Sequence, residues 1–438
     1  MASERDISKR VESCSAFEFQ LKDTMIAIWS NEYDEDHNKE GIINLSTAHN
    51  EAIQDLITEK LNQPDFMTWD STMLPYNGHR NGSLRLRKAL SEFLSCCSGQ
   101  KAPETLDPEK FIVLNGVTSA LSAMAYVLCD NGDTILTPAP MYGAIPRDLL
   151  FQYGAKTYPV HLSSKAGPDG REPFELTVPL LESALEKAKE EGHNVRALLL
   201  VNPVNPYGTV YTKQQVLEYL TFCKRHDLHC VLDEIYAASI YDESVESSSV
   251  FTLHSDELPD KTKTHVIWGM AKDFGMPGSP FGAVYSWNPR VLAGLGQLVD
   301  FYQIPSFIQI ALAKLLEDKE WLKSYLPTHN KMLMESATIV METLKELDVP
   351  FVKPSAGLFI WADFRKIITN VSKQTEKQFA FHCLDHGLGL APGAAFYYNE
   401  FGWIRLVHAL PKCKLIEGMK RLKAACATFQ TNNITHAN

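Results

Sequence analysis

No apolar run in the 438-residue chain approaches the roughly 20 residues that a membrane-spanning helix needs, so no role inside a bilayer is expected. Positive charge is not in excess either. With 42 Lys and Arg against 53 Asp and Glu the formal net charge is −11, and a surface for nucleic acid depends on Lys and Arg to neutralise phosphates; the expected partner is a small molecule. None of the nine cysteines forms a C-x-x-C pair, and Cys96 and Cys97 are adjacent. An odd set of thiols suits a reducing, cytoplasmic setting better than a disulfide framework. The opening "MASERDISKRVESCSAFEF" has no apolar signal core, and its mixed charges are unlike an Arg-rich transit peptide. Metal ligands are also scarce, because His226 and His229 make a lone H-x-x-H without an acidic partner motif, so no metal site is expected.

What is present is a large apolar fraction, 45%, in a chain long enough for two intimately packed lobes. Short apolar runs recur through the middle: "FIVLN", "TILTP", "ALLLVNP", "HCVLDE", "HVIWG" and "GAVYSW". Amphipathic stretches such as "QQVLEYLTFCKRHD" separate several of them. This alternation predicts an α/β fold around a mostly parallel sheet. After Pro305 the text changes to long helical patterns, then to the short strand candidates "AGLFIWADF" and "GWIRLVHAL". The expected division is an N-terminal segment (1–45) packing on the small lobe, a large domain (46–305) and a smaller α+β domain (306–438).

Three polar clusters stand where strands are predicted to end, the place where ligands collect in open α/β sheets. Asn205 follows "ALLLV" in "NPVNPYG"; Asp233 and Tyr236 follow "HCVL" in "LDEIY"; Lys272 follows "HVIWG". Taken singly they are a turn, a helix cap and a solvated lysine. A further turn, "NGVTSALSAM", opens a helix whose free backbone N–H groups suit an anion.

In this order the set resembles the aminotransferase-like fold-type I family of pyridoxal-phosphate enzymes, over about residues 41–422. Within it the chain is most similar to 1-aminocyclopropane-1-carboxylate (ACC) synthase-like proteins, especially the fungal branch, through "GIINLSTAHN", "LRLRKALSEFL", "NPVNPYGTVYT", "LDEIYA" and "WGMAKDFGMPG". The resemblance implies a large domain with a mostly parallel sheet flanked by helices, a smaller α+β domain, and pyridoxal 5'-phosphate as cofactor. It implies that Lys272 binds the cofactor covalently and then moves the Cα proton of an amino-acid substrate. Asp233 would pair with the ring nitrogen, and Tyr236 and Asn205 with the ring's phenolic oxygen. Gly116, Val117 and Thr118 would hold the phosphate, with Tyr76 reaching it from the second subunit of a homodimer. Arg405 would clamp the substrate's α-carboxylate, with Asn205 and His49 also contacting substrate.

The resemblance is incomplete in a consistent direction. The family's serine before the lysine is Ala271 here, its phosphate-binding arginine eight residues on is Pro280, and a further serine of plant sequences is Gly269. The ring-stacking aromatic falls on Met141, with Tyr142 next to it expected among the cofactor-binding residues, and Ala48-His49-Asn50 replaces the Ala-Glu-Asn of ACC synthases. A substitute cation is expected from Arg80 of the second subunit, beside His79 in "YNGHRNG". The implied activity is a lyase that deprotonates Cα and expels a β or γ group, as in the carbon–sulfur lyases of fungal secondary metabolism. An aminotransferase and an inactive cofactor-fold binding protein are the alternatives.

Overall fold

The computed structural model describes residues 11, 14, 21–64, 66–69, 71–75, 80–97, 102–167, 170–246 and 249–435. A short strand, β1 (Ile43–Asn44), precedes the strands of the central sheet. These are β2 (Phe111–Leu114), β3 (Thr134–Ala139), β4 (Lys156–His161), β5 (Val195–Val201), β6 (His229–Asp233), β7 (Thr264–Gly269) and β8 (Gly282–Ser286). Their order is β2-β8-β7-β6-β5-β3-β4, parallel except for β8, which runs against both neighbours.

Successive side chains in a strand point to opposite faces, and both faces of this sheet are covered. Leu198, Leu200, Leu232, Val266 and Trp268 join one apolar cluster, while Ala197, Leu199, Val231, Ile267 and Val284 join the other. That is why these strands read as continuous apolar runs instead of alternating ones. The flanking helices begin on the polar residues expected of caps. Thr212 makes a reciprocal capping box on the Lys213–Arg225 helix, and Asn288 accepts from the first turn of the Pro289–Leu298 helix.

The C-terminal strands are β9 (Phe351–Val352), β10 (Phe359–Asp363), β11 (Leu388–Gly389), β12 (Ala391–Pro392) and β13 (Trp403–Val407). Four of them make an antiparallel sheet in the order β12-β13-β10-β9, and β1 pairs in parallel with β11. The architecture is α/β: a mostly parallel central sheet flanked by helices, joined to a smaller antiparallel sheet. The Ser306–Glu317 helix packs on the Leu84–Glu92 helix of the central layer, where the Gln309 side chain accepts from the Ser83 N–H at 2.7 Å. Among the described residues no helix is long and apolar enough to cross a membrane.

Candidate active site

The carboxyl ends of β5, β6 and β7 lie side by side on one edge of the sheet. β5 ends before Asn205, β6 ends on Asp233 itself, and β7 ends at Gly269 and turns into a short helix, Met270–Asp273, that carries Lys272. Gly116 follows β2 and opens the Val117–Leu128 helix with φ +120°, a conformation that a residue with a side chain adopts only under strain. Tyr142 follows β3. Together with Tyr236 and with Arg405 of β13 they face a cavity of about 410 Å³.

Close backbone packing shapes the floor of this cavity. A Cβ on Gly282 would lie 2.6 Å from the carbonyl carbon of Gly116, and one on Gly269 would lie 2.6 Å from the Phe281 oxygen. No side chain fits at position 269 without a backbone shift, which gives the missing serine a steric cause.

Lys272 is positioned by its neighbours. The Asp273 carboxylate is buried and accepts from the Ala238 N–H at 3.0 Å, the Trp268 indole at 3.1 Å and the Ser239 hydroxyl. Asn50 donates to the Lys272 carbonyl at 3.2 Å, and Tyr325 to the Asp273 carbonyl at 2.7 Å. The short helix is thus held from three directions, and the Lys272 amine reaches the Ala48 carbonyl. Burial, aided by the charge of Arg405 and opposed by Asp233, lowers the amine to about 8. Burial pushes the Asp233 carboxyl up to about 7, against the Ile235 N–H that it accepts at 3.2 Å and the charge of Lys272. The Tyr236 phenol is raised, again mainly by burial.

Arg405 is 3% exposed on an otherwise apolar strand. Its Nη1 donates to Asn205 Oδ1 at 2.9 Å and its Nη2 to the Ser46 carbonyl. The guanidinium carbon lies 4.7 Å from the Phe396 ring centre and 5.3 Å from that of Phe359. Burial lowers its pKa to about 10, so it stays charged at neutral pH.

Not every residue expected at the site faces the cavity of its own chain. His49 is not part of the cavity wall: its Nε2 lies 3.0 Å from the Gln54 amide nitrogen, while Ala48 and Thr47 line the cavity. Met141 is 3% exposed in the apolar core, and Tyr142 presents its ring to the cavity instead. Arg80 lies outside the cavity of its own protomer, beside Asp300 at 3.8 Å. Tyr76 and His79 lie outside the described residues. Among the described residues no group of three His, Cys, Asp or Glu side chains is placed to hold a metal ion; His226 pairs with Glu182 and His229 stacks on His265.

Sequence reasoning missed Arg147 and the apolar wall of Leu21, Met25 and Phe396. Ser46 was within reach, since it sits in the quoted "GIINLSTAHN". Three buried polar atoms of cavity residues, Thr47 Oγ1, Asn115 Oδ1 and Arg405 Nε, have no hydrogen-bond partner among the described residues. Buried polar atoms are rarely left so. With an amine near 8 and two guanidinium groups, the donor set fits an anionic, carbonyl-bearing occupant.

The comparisons with known proteins agree with this chemistry. The chain is 40% identical over 394 residues to bovine "1-aminocyclopropane-1-carboxylate synthase-like protein 1", covering 90% of this chain and 78% of that protein. It is 38% identical over 414 residues to a human protein named probable inactive 1-aminocyclopropane-1-carboxylate synthase-like protein 2, covering 94% and 72%. Against 1-aminocyclopropane-1-carboxylate synthase 7 of Arabidopsis thaliana it is 31% identical over 392 residues, covering 86% and 85%. The solved aspartate aminotransferase from Thermus thermophilus with maleate superposes with a TM-score of 0.73 at 20% identity, covering 96% of this chain and 99% of that one, and speaks to the fold alone. The family described as aminotransferase class I and II matches residues 24–422. Because that match runs through both sheets and every strand end that builds the cavity, the chain belongs to the pyridoxal-phosphate-dependent family of class I and II aminotransferases.

Proposed function

We propose that the protein is a pyridoxal-phosphate-dependent lyase that removes the Cα proton of an amino-acid substrate and expels a β or γ leaving group, with carbon–sulfur cleavage in secondary metabolism as its chemistry. The observation that carries the reading is Lys272, an amine lowered to about 8 in one cavity with Asp233 and Arg405. Kinship with proteins named for ACC synthesis supports elimination, and His49, bonded to Gln54, argues against ACC itself as the product.

Bound in this cavity, pyridoxal phosphate supplies an electron-accepting ring that stabilises negative charge at the substrate's Cα. Lys272 holds the cofactor and, once freed by substrate, takes the Cα proton; an amine near 8 is partly unprotonated at neutral pH. Asp233, buried and acted on by the charge of Lys272, would pair with a protonated ring nitrogen. Tyr236 and Asn205 would hydrogen-bond the ring's phenolic oxygen, and Tyr142, on the same cavity wall, would pack against the ring. The backbone N–H groups of Val117 and Thr118 would hold the phosphate, with Gly116, whose own N–H donates to the Leu114 carbonyl at 2.9 Å, shaping the turn. Arg405 takes the α-carboxylate, while Leu21, Met25 and Phe396 keep water from the reacting carbon.

The proposal extends to a cytoplasmic homodimer, with Tyr76 of each chain reaching the other's site, and to the division of the chain at residues 45 and 305. Capture of pyridoxal phosphate by the cofactor-free protein is expected to speed up as pH rises and to level off near 8, because only the unprotonated amine attacks. Levelling near an ordinary lysine's 10.5 instead would contradict the lowered amine.

The deciding experiment supplies cysteine conjugates, S-adenosylmethionine and ordinary amino acids with a keto-acid acceptor, separately, and identifies products by mass spectrometry. The expected result is a thiol, pyruvate and ammonia from a cysteine conjugate and water. Amino transfer to the acceptor without elimination would replace the lyase by an aminotransferase. Cofactor binding without any turnover would make the protein a binding protein, as the name of the human relative suggests for that relative.

A further inference from the structure

Three cationic side chains line the cavity: Lys272, Arg405 and Arg147. Lys272 is committed to the cofactor's aldehyde, and Arg405 is bonded to Asn205 and Ser46. Pro280, standing where the family has its phosphate-binding arginine, lies against the start of the Val117–Leu128 helix: a Cβ on Gly116 would meet Pro280 Cβ at 3.6 Å. A phosphate dianion at that helix start therefore faces a ring with no donor. An incompletely paired anion removed from water is costly, so a cation must reach it from elsewhere.

We propose that Arg147 is that cation, the residue of this chain that binds the cofactor's phosphate in place of the missing arginine. Arg147 lies in the Ile145–Tyr153 helix, five positions after Tyr142, and faces the same cavity as Gly116, Val117 and Thr118. Its Nε and Nη2 donate to Asp148 Oδ1 at 3.1 and 3.0 Å, and Thr118 Oγ1 donates to Oδ2 of the same carboxylate at 3.2 Å. Asp148, with its side chain 1% exposed, is a bracket that fixes the guanidinium beside the Gly-Val-Thr turn.

Two consequences follow from that bracket. The Thr118 hydroxyl has one proton, which goes to Asp148 and not toward the helix start, so the turn offers backbone N–H groups without a hydroxyl donor. Arg147 Nη1 has no partner among the described residues, and the side chain remains 37% exposed. Nη1 carries two N–H donors on a group that is always charged, suited to a phosphate oxygen. Arg80, the cation expected from the second subunit, is 66% exposed and within its own chain lines a separate groove with Met73 and Phe307.

The inference rests on the cofactor and not on the reaction proposed above. It is tested with cofactor-free parent, Arg147→Ala and Arg147→Lys proteins, each titrated with pyridoxal phosphate and with pyridoxal, which keeps the ring and aldehyde and lacks the phosphate. Binding is read by visible absorbance and equilibrium dialysis, with no substrate present. Arg147→Ala is expected to bind pyridoxal phosphate about ten- to a hundredfold more weakly, from the loss of a charge-assisted bond, and pyridoxal as well as the parent does. Arg147→Lys, which keeps a positive charge beside the buried Asp148, should recover part of the loss. The proposal is overturned if Arg147→Ala retains the parent's affinity for pyridoxal phosphate. It is equally overturned if pyridoxal is weakened by the same factor, which would make Arg147 a scaffold for Asp148. A failed product assay leaves these titrations standing, and failed titrations leave the lyase reading standing.

Discussion

Lys272→Ala is expected to abolish turnover and the visible absorbance of bound cofactor together, while the fold survives. The side chain supplies two things at one place, a covalent anchor and the group that moves the Cα proton. Proton transfer alone accounts for about 10²- to 10⁴-fold in rate, so activity should fall at least a thousandfold. The fold does not depend on the amine, whose hydrogen bond is to a single backbone carbonyl, that of Ala48. Its charge in fact opposes folding. With the folded pKa near 8 and an ordinary value of 10.5, the unfolded chain binds more protons between those limits, and stability rises with pH across that window. Below about pH 8 the full penalty of a buried charge is present, and alanine removes it. The thermal midpoint of Lys272→Ala at neutral pH should therefore equal or exceed that of the cofactor-free parent. Near-normal turnover in this variant would remove Lys272 from the chemistry, and loss of far-ultraviolet ellipticity would show that its part is structural.

The strands that end in Asn205, Asp233 and Lys272 were legible because burial on both faces writes itself as short apolar runs with polar ends. Direction was not. "GAVYSW" reads like its neighbours, yet β8 runs against β2 and β7, and apolar content carries no sign of polarity along a strand. That reversal brings Pro280 and Gly282 to the end of the sheet that carries Gly116, where a Cβ on Gly282 would lie 2.6 Å from the Gly116 carbonyl carbon. The helical text after Pro305 likewise announced helices without saying what they cover. An apolar stripe states that a helix has a buried face, and only the tertiary structure shows that the Ser306–Glu317 helix takes the Leu84–Glu92 helix as its neighbour.

Side-chain direction was the other gap. In "PMYG" the residues at 141 and 142 differ by one position and point apart, Met141 into the core and Tyr142 into the cavity. His49 carries the chemistry of a site residue and directly follows Ala48, which lines the cavity, but its ring turns to Gln54. The pair Arg147-Asp148 on an amphipathic helix reads as ordinary surface charge. Only the burial of Asp148 and its bond to Thr118 separate it from one.

Arg405→Lys is expected to lower kcat/KM for free amino acids by on the order of a hundredfold or more while changing pyridoxal-phosphate affinity little. The position conserves charge in this variant, so the size of the effect measures shape. Arg405 uses Nη1 on Asn205 and Nη2 on the Ser46 carbonyl, leaving its Nε buried without a partner among the described residues, and its plane lies over Phe396. An ammonium group has no planar fork to reproduce that arrangement, and is more strongly hydrated, so it loses more on entering a site walled by Phe359 and Phe396. Leaving Asn205 or an incoming carboxylate imperfectly paired in such a place costs about 2–5 kcal/mol, which matches the expected loss in rate. Cofactor binding is spared because lysine keeps the positive charge that acts on Lys272, and Arg405 stands on β13, apart from the elements that carry the Gly116 turn, Asp233 and Lys272. Comparison of a free amino acid with its amide isolates the role: the parent should prefer the acid strongly, and the variant should lose most of that preference. A parent that turns over the amide as well as the acid would take the carboxylate away from Arg405 and leave the arginine as a strut between Asn205 and Ser46.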